Sequence, residues 1–108
     1  MDIGDWRLKI DEIDRKLVEL LNERARAAQQ IGLLKRDRQT PIYEPVREKE
    51  IFENVKHNNA GPLSDRVLVQ LYERIVDVMR KLQWEQVEPA EKRGVAPHGT
   101  EMDAGADE

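Results

Sequence analysis

The sequence predicts an all-α fold of three helices, the first of them very long. Apolar residues between Asp5 and about Arg38 recur in alternating steps of four and three, over a span with no proline and a single glycine, Gly32. Two shorter stretches with helical apolar spacing follow, and turn-forming residues separate all three.

In the first helix the apolar stripe is Trp6, Ile10, Ile13, Leu17 and Leu20, then Ala27, Ile31 and Leu34. Arg24 falls on the missing beat. A stripe position is expected to be buried, and a buried arginine is costly unless an anion meets it. Asp2 or Asp5 is placed to cap the helix and to complement its dipole. A neighbouring stripe runs through Arg7, Asp11, Asp14, Val18, Leu21, Ala25, Ala28, Gly32 and Lys35, and its C-terminal half is small. Small side chains there either leave room for a ligand between Arg24 and Lys35 or let another helix pack closely.

Pro41 disfavours helix at Thr40 and ends the first element. Pro45 suits the first position of a second helix, with Glu48 in its first turn and Ile51 and Val55 on its inward face. Asn58-Asn59-Ala60-Gly61-Pro62 stops it. Ser64 caps a third helix, with Leu63 placed to staple onto Leu68. Leu68, Leu71, Ile75, Val78 and Leu82 form its main stripe, flanked by Tyr72, Val76, Met79 and Gln83. The apolar pattern ends near Gln86. Residues 1–86 therefore read as one helical domain, and 87–108, rich in glycine, proline and acids, as a disordered acidic tail.

A first helix roughly 50 Å long cannot bury its stripe against so little partner chain, so self-association is expected. The 108 residues hold no cysteine, no signal-peptide pattern and no run of apolar residues near the length of a membrane span, which suggests a soluble cytoplasmic protein. The net charge of −4 resides in the tail; residues 1–86 are neutral. A balanced body without a basic face gives nucleic-acid binding little support.

Arg24 and Lys35 on the first helix, Arg47 and Glu48 opening the second, and Gln83 closing the third are the polar residues placed to converge. His57 and His98 have no partners at metal-ligand spacing, and neither Ser64 nor any threonine has an adjacent base. What remains is a cationic pocket with one carboxylate and one amide, suited to a small ligand carrying several carboxylates. Arg7 and Arg24 lie roughly 25 Å apart along a helix. If Arg7 takes part, it must come from another subunit.

Arg7, Ile10-Asp11, Ile13-Asp14, Leu20-Leu21, Arg24, Ile31-Gly32, Lys35, Pro45-Val46-Arg47-Glu48 and Leu82-Gln83, in this order and spacing, resemble the all-α chorismate mutase family. The resemblance covers about residues 5–86. Asn58-Asn59-Ala60-Gly61-Pro62 further resembles the type fused to, or partnered with, DAHP synthase. The resemblance implies an intertwined homodimer and the pericyclic conversion of chorismate to prephenate, with no metal, nucleophile or cofactor, in phenylalanine and tyrosine biosynthesis. It implies that Arg24 and Arg7 of the other subunit bind the substrate carboxylates, with Arg47 completing the cationic wall. Lys35 and Gln83 would donate to the ether oxygen, Glu48 would accept from the ring hydroxyl, and the backbone amide near Glu44 would complete the hydroxyl site.

Two positions depart from the family pattern. Glu44 stands where many relatives have aspartate, and Met79 where many have serine or another small residue, which would remove one hydrogen bond and crowd the pocket. Three other readings remain: a regulatory chorismate- or prephenate-binding module acting on a DAHP synthase partner, an isochorismate pyruvate lyase on a similar scaffold, and a coiled-coil dimerisation module. The last leaves Arg24 unexplained.

Overall fold

The computed structural model describes residues 1–87, which form α1 (Ile3–Arg38), α2 (Pro45–Asn58) and α3 (Asp65–Val87). Apart from Val87, the last residue of α3, the expected acidic tail and His98 lie outside the described residues. Among the described residues, no helix is long and apolar enough to cross a membrane.

The start of α1 is set by two aspartates acting reciprocally. The Asp5 amide donates to Asp2 Oδ1 at 2.9 Å, and the Asp2 amide donates to Asp5 Oδ2 at 3.1 Å. Asp2 is the cap, so the helix begins ahead of Asp5, and two otherwise orphaned N–H groups are satisfied. The helix then spans the molecule, whose longest extent is 53 Å.

At its other end, Gln39 takes a left-handed backbone conformation at φ 56°. The Thr40 amide reaches back to the Lys35 carbonyl at 3.0 Å and the Gln39 amide to Arg36 at 3.3 Å, the paired bonds of a Schellman ending. An L-residue with a Cβ is disfavoured there, whereas glycine is not. Gln39→Gly is therefore expected to stabilise the chain by about 0.5–1 kcal/mol, after allowing for the extra freedom of glycine when unfolded. Thermal unfolding would register a rise of a few degrees; an unchanged or lower midpoint would contradict the strain.

Pro45 opens α2 as expected, and the Glu48 amide donates to the Glu44 carbonyl at 3.0 Å. The α2–α3 turn is organised by Asn59. Its side chain donates to the Leu63 carbonyl at 2.9 Å and to Asp65 Oδ1 at 2.7 Å, and accepts from the Gly61 amide at 2.9 Å. Gly61 has φ 77°, which explains glycine at that position. Ser64 Oγ accepts from the Val67 amide at 3.2 Å and so caps α3.

α3 packs against both α1 and α2, which do not pack on each other. The stripes that meet are not the most apolar ones. α1 buries Ala28, Gly32 and Lys35 from its small stripe, and α3 buries Val76 and Met79 from its flanking stripe. Trp6, Ile10, Ile13, Leu17, Leu20, Ile31 and Leu34 stay exposed, as do Leu71 and Val78 on α3. Contact distance explains the choice: a Cβ on Gly32 would lie 2.9 Å from Gln83 Cα and 3.0 Å from its carbonyl oxygen. At Gly32 the small stripe thus serves close helix packing, and the space for a ligand lies beside it, along Ala27 and Ala28.

Candidate active site

Because α1 and α2 are held apart by α3, a cavity of about 560 Å³ opens between them. α1 contributes Arg24, Ala27, Ala28, Ile31 and Lys35; α2 contributes Arg47, Glu48, Glu50 and Ile51. Ile42 and Glu44 come from the connecting segment, and Val76, Met79, Arg80 and Gln83 from α3. Seven of the eight residues singled out from the sequence line this cavity. Arg7 does not; it lies exposed on the N-terminal half of α1.

Lys35 sits in a charge run that usually marks a solvated helix end, yet it is buried. Its ammonium group donates to the Ile42 carbonyl at 2.9 Å and to Gln83 Oε1 at 3.0 Å, and it pairs with Glu44 Oε1 at 3.2 Å. Three N–H donors thus meet three acceptors, so burial leaves none of the ammonium donors without a partner. Glu44 is the most exposed of these partners, with half of its side chain in solvent. It is the partner a competing anion displaces most readily. Its carboxylate therefore has a role at Lys35 that the expectation of a backbone contact near Glu44 did not include.

The bond from Lys35 also orients Gln83. It commits the amide oxygen and leaves the NH2 group as the donor that Gln83 can offer a ligand. Lys35 and Gln83 are 48 residues apart and belong to different helices. The close approach of α3 at Gly32, one turn before Lys35, brings them together. Met79, one turn before Gln83, is buried and forms part of the cavity wall, where its thioether supplies bulk and no strong donor.

The cavity's cations differ in how far they are already neutralised. Arg47 Nη1 lies 3.4 Å from Glu50, and Arg80 clasps Glu48 at 2.7 Å. Arg24 is half-buried rather than fully buried, and it makes no ion pair among the described residues. It is the cation most open to an incoming carboxylate. A second carboxylate would have to displace Glu44 or Glu50, or meet a cation from outside this chain.

Glu48 does not stand alone as the hydroxyl acceptor expected from the sequence. Arg80 Nε donates to its Oε2 at 3.0 Å, and Arg80 Nη2 donates to Oε1 at 2.9 Å and Oε2 at 2.7 Å. The guanidinium also lies over the Tyr43 ring, 5.0 Å from its centroid. Sequence reasoning missed Arg80. The available signal was its spacing, since Val76, Arg80 and Gln83 follow one helical face, but a charged residue beside a stripe usually faces solvent.

The lining offers cations, carboxylates, an amide and apolar walls, and no thiol, hydroxyl or imidazole. The arrangement can bind, orient and polarise an anionic molecule. Comparison with known proteins agrees with that chemistry. The family model described as chorismate mutase type II matches residues 6–84. A bifunctional chorismate mutase/prephenate dehydratase of Aquifex aeolicus is 36% identical over 86 residues, covering 76% of this chain and 24% of that protein. The chain spans about a quarter of the length of the bifunctional relatives it matches. A chorismate mutase structure from Thermus thermophilus superposes with a TM-score of 0.76 at 32% identity, covering 78% of this chain and 96% of that one. A chorismate mutase from Helicobacter pylori, solved in complex with prephenate, gives a TM-score of 0.72 at 30% identity, covering 79% and 92%. The three-helix fold, the cationic cavity between α1 and α2, and the match over residues 6–84 place this chain in the type II chorismate mutase family.

Proposed function

We propose that this chain catalyses the rearrangement of chorismate to prephenate in aromatic amino acid biosynthesis. The observation that carries the reading is the buried Lys35 bonded to Gln83 inside a cavity whose wall holds Arg24, which makes no ion pair among the described residues. In this reaction the ether C–O bond breaks as a C–C bond forms within one molecule, and no proton, electron or group is exchanged with the protein. The protein needs only to hold the enolpyruvyl side chain over the ring and to stabilise negative charge growing on the ether oxygen. Lys35 supplies a full positive charge once Glu44 gives way, and the Gln83 amide supplies neutral donors. Arg24 and Arg47 bind carboxylates.

The exposed stripe from Trp6 to Leu20 supports a homodimer, since soluble monomers rarely leave so much contiguous apolar surface uncovered. In such a dimer Arg7 of a second copy would supply the further cation that the site lacks. A partnership with DAHP synthase rests on the Asn58-to-Pro62 loop, whose asparagine and glycine are also accounted for by the turn they build. Co-elution and a change in either enzyme's rate would support it; their absence would remove it.

The reading is tested by following chorismate loss by absorbance with purified protein, with prephenate identified as product. Arg24→Ala is expected to lower kcat/KM by about 10- to 100-fold, the loss of a charge-assisted hydrogen bond to a carboxylate. No turnover by folded wild-type protein would refute the assignment. Pyruvate release from isochorismate at a comparable rate would favour a lyase instead.

A further inference from the structure

We infer that Arg80 is a positioning residue for the proposed reaction: it fixes the Glu48 carboxylate so that one acceptor site faces the ring hydroxyl of the substrate. The inference rests on the chorismate mutase reading of the cavity and extends it to a residue outside the set that the family resemblance implies.

A carboxylate has about four lone-pair sites. In Glu48, Oε2 receives two hydrogen bonds from Arg80 and Oε1 receives one. Among the described residues, Oε1 takes only one of these contacts and keeps the more open acceptor site. A hydroxyl donor fits that site, whereas an ether or carbonyl oxygen meets only lone pairs. The carboxylate cannot turn to present a different edge without breaking the two-pronged contact, because the guanidinium fork matches both oxygens at once.

Arg80 is itself held. Its Nη1 lies 3.5 Å from Asp77 Oδ1 one turn earlier on α3, and its guanidinium stacks over Tyr43 from the connecting segment. The pair is mostly shielded, with 30% of the Arg80 side chain and 19% of the Glu48 side chain exposed. It therefore joins α2 to α3 across the cavity wall. A purely mechanical tie and a positioning role make different predictions, because only the second depends on the substrate's hydroxyl group.

The test uses the full chain and four proteins: wild type, Arg80→Met, Glu48→Gln and the double variant. Each is assayed with chorismate and with an analogue whose ring hydroxyl is O-methylated. Arg80→Met is expected to lower kcat/KM for chorismate by about 10- to 100-fold while changing turnover of the methylated analogue far less, since that analogue has no proton to donate. Adding Arg80→Met to Glu48→Gln should cost little more, as two residues acting through one contact are not additive. Arg80→Lys keeps the charge and the α2–α3 tie but not the fork, and should recover only part of the loss. It also preserves the test should Arg80→Met fail to fold. Equal losses on both substrates, additive effects in the double variant, or full activity in Arg80→Lys would overturn the positioning role. No turnover by the wild type would overturn the reading beneath it, and the role with it; a normal wild type with an unaffected Arg80→Met would overturn the role alone.

Discussion

Replacing Gln83 by glutamate is expected to lower kcat/KM at neutral pH by roughly 10²- to 10³-fold, the usual cost of losing one donor to a developing oxyanion. Gln83 Oε1 already accepts from Lys35 at 3.0 Å, so the substituted carboxylate would sit directly against the ammonium group. Two losses follow. The amide N–H donors are replaced by a group that only accepts, and Lys35, now paired with a full negative charge, has less field to offer the ether oxygen. Both reverse when the new carboxyl group is protonated. A free glutamate titrates near ~4.3, and the adjacent ammonium favours the charged form, so recovery requires acid. The sign is fixed: activity of the variant rises as pH falls, whereas the wild-type amide gains no donor over the same range. Rate measurements from about pH 4 to pH 8 would reveal this. Unchanged activity at neutral pH would remove Gln83 from the reacting centre.

The helices were legible because their ends are written in local chemistry. Asp2 and Asp5, Pro45, the Asn58-to-Pro62 turn and Ser64 act within a few residues of themselves, and the structure places each where that chemistry demands. Which stripes meet was not legible. Helical spacing identifies a face that must be covered but not the element that covers it, and here the most apolar stripes of α1 and α3 remain open while less apolar ones pack. The same limit applies to the site. Lys35 and Gln83 could be grouped as residues placed to converge, but their direct contact could not be read across the 48 residues that separate them. Arg80 was invisible for a related reason: its partner Glu48 lies 32 residues away on another helix. In sequence, an arginine between Met79 and Lys81 reads as an ordinary solvated charge.

Gly32→Ala should show that one methyl group controls the site from behind. The added Cβ would fall 2.9 Å from Gln83 Cα, 3.0 Å from the Gln83 carbonyl oxygen and 3.2 Å from Gln86 Cβ. The first two are backbone atoms and cannot rotate aside, so α3 must shift outward. Alanine gains up to about 1 kcal/mol over glycine in helix propensity, while overpacking a close contact costs roughly 1–3 kcal/mol. The net loss of stability is therefore modest, about 0–2 kcal/mol on those two figures. Activity has no such compensation. Gln83 is the residue displaced, its oxygen is held by Lys35, and a misplacement approaching 1 Å at a reacting centre costs on the order of 10²-fold. The expected signature is a folded protein with a small change in melting temperature and kcat lowered by about 100-fold. Circular dichroism melts and steady-state kinetics on the same preparation separate the two effects. Full activity would mean that the Lys35–Gln83 distance does not govern catalysis; a loss of activity that merely tracks unfolding would assign Gly32 to packing alone. Loss of activity without loss of stability would mean that α1 carries glycine at position 32 because the Gln83 amide must come this close to Lys35.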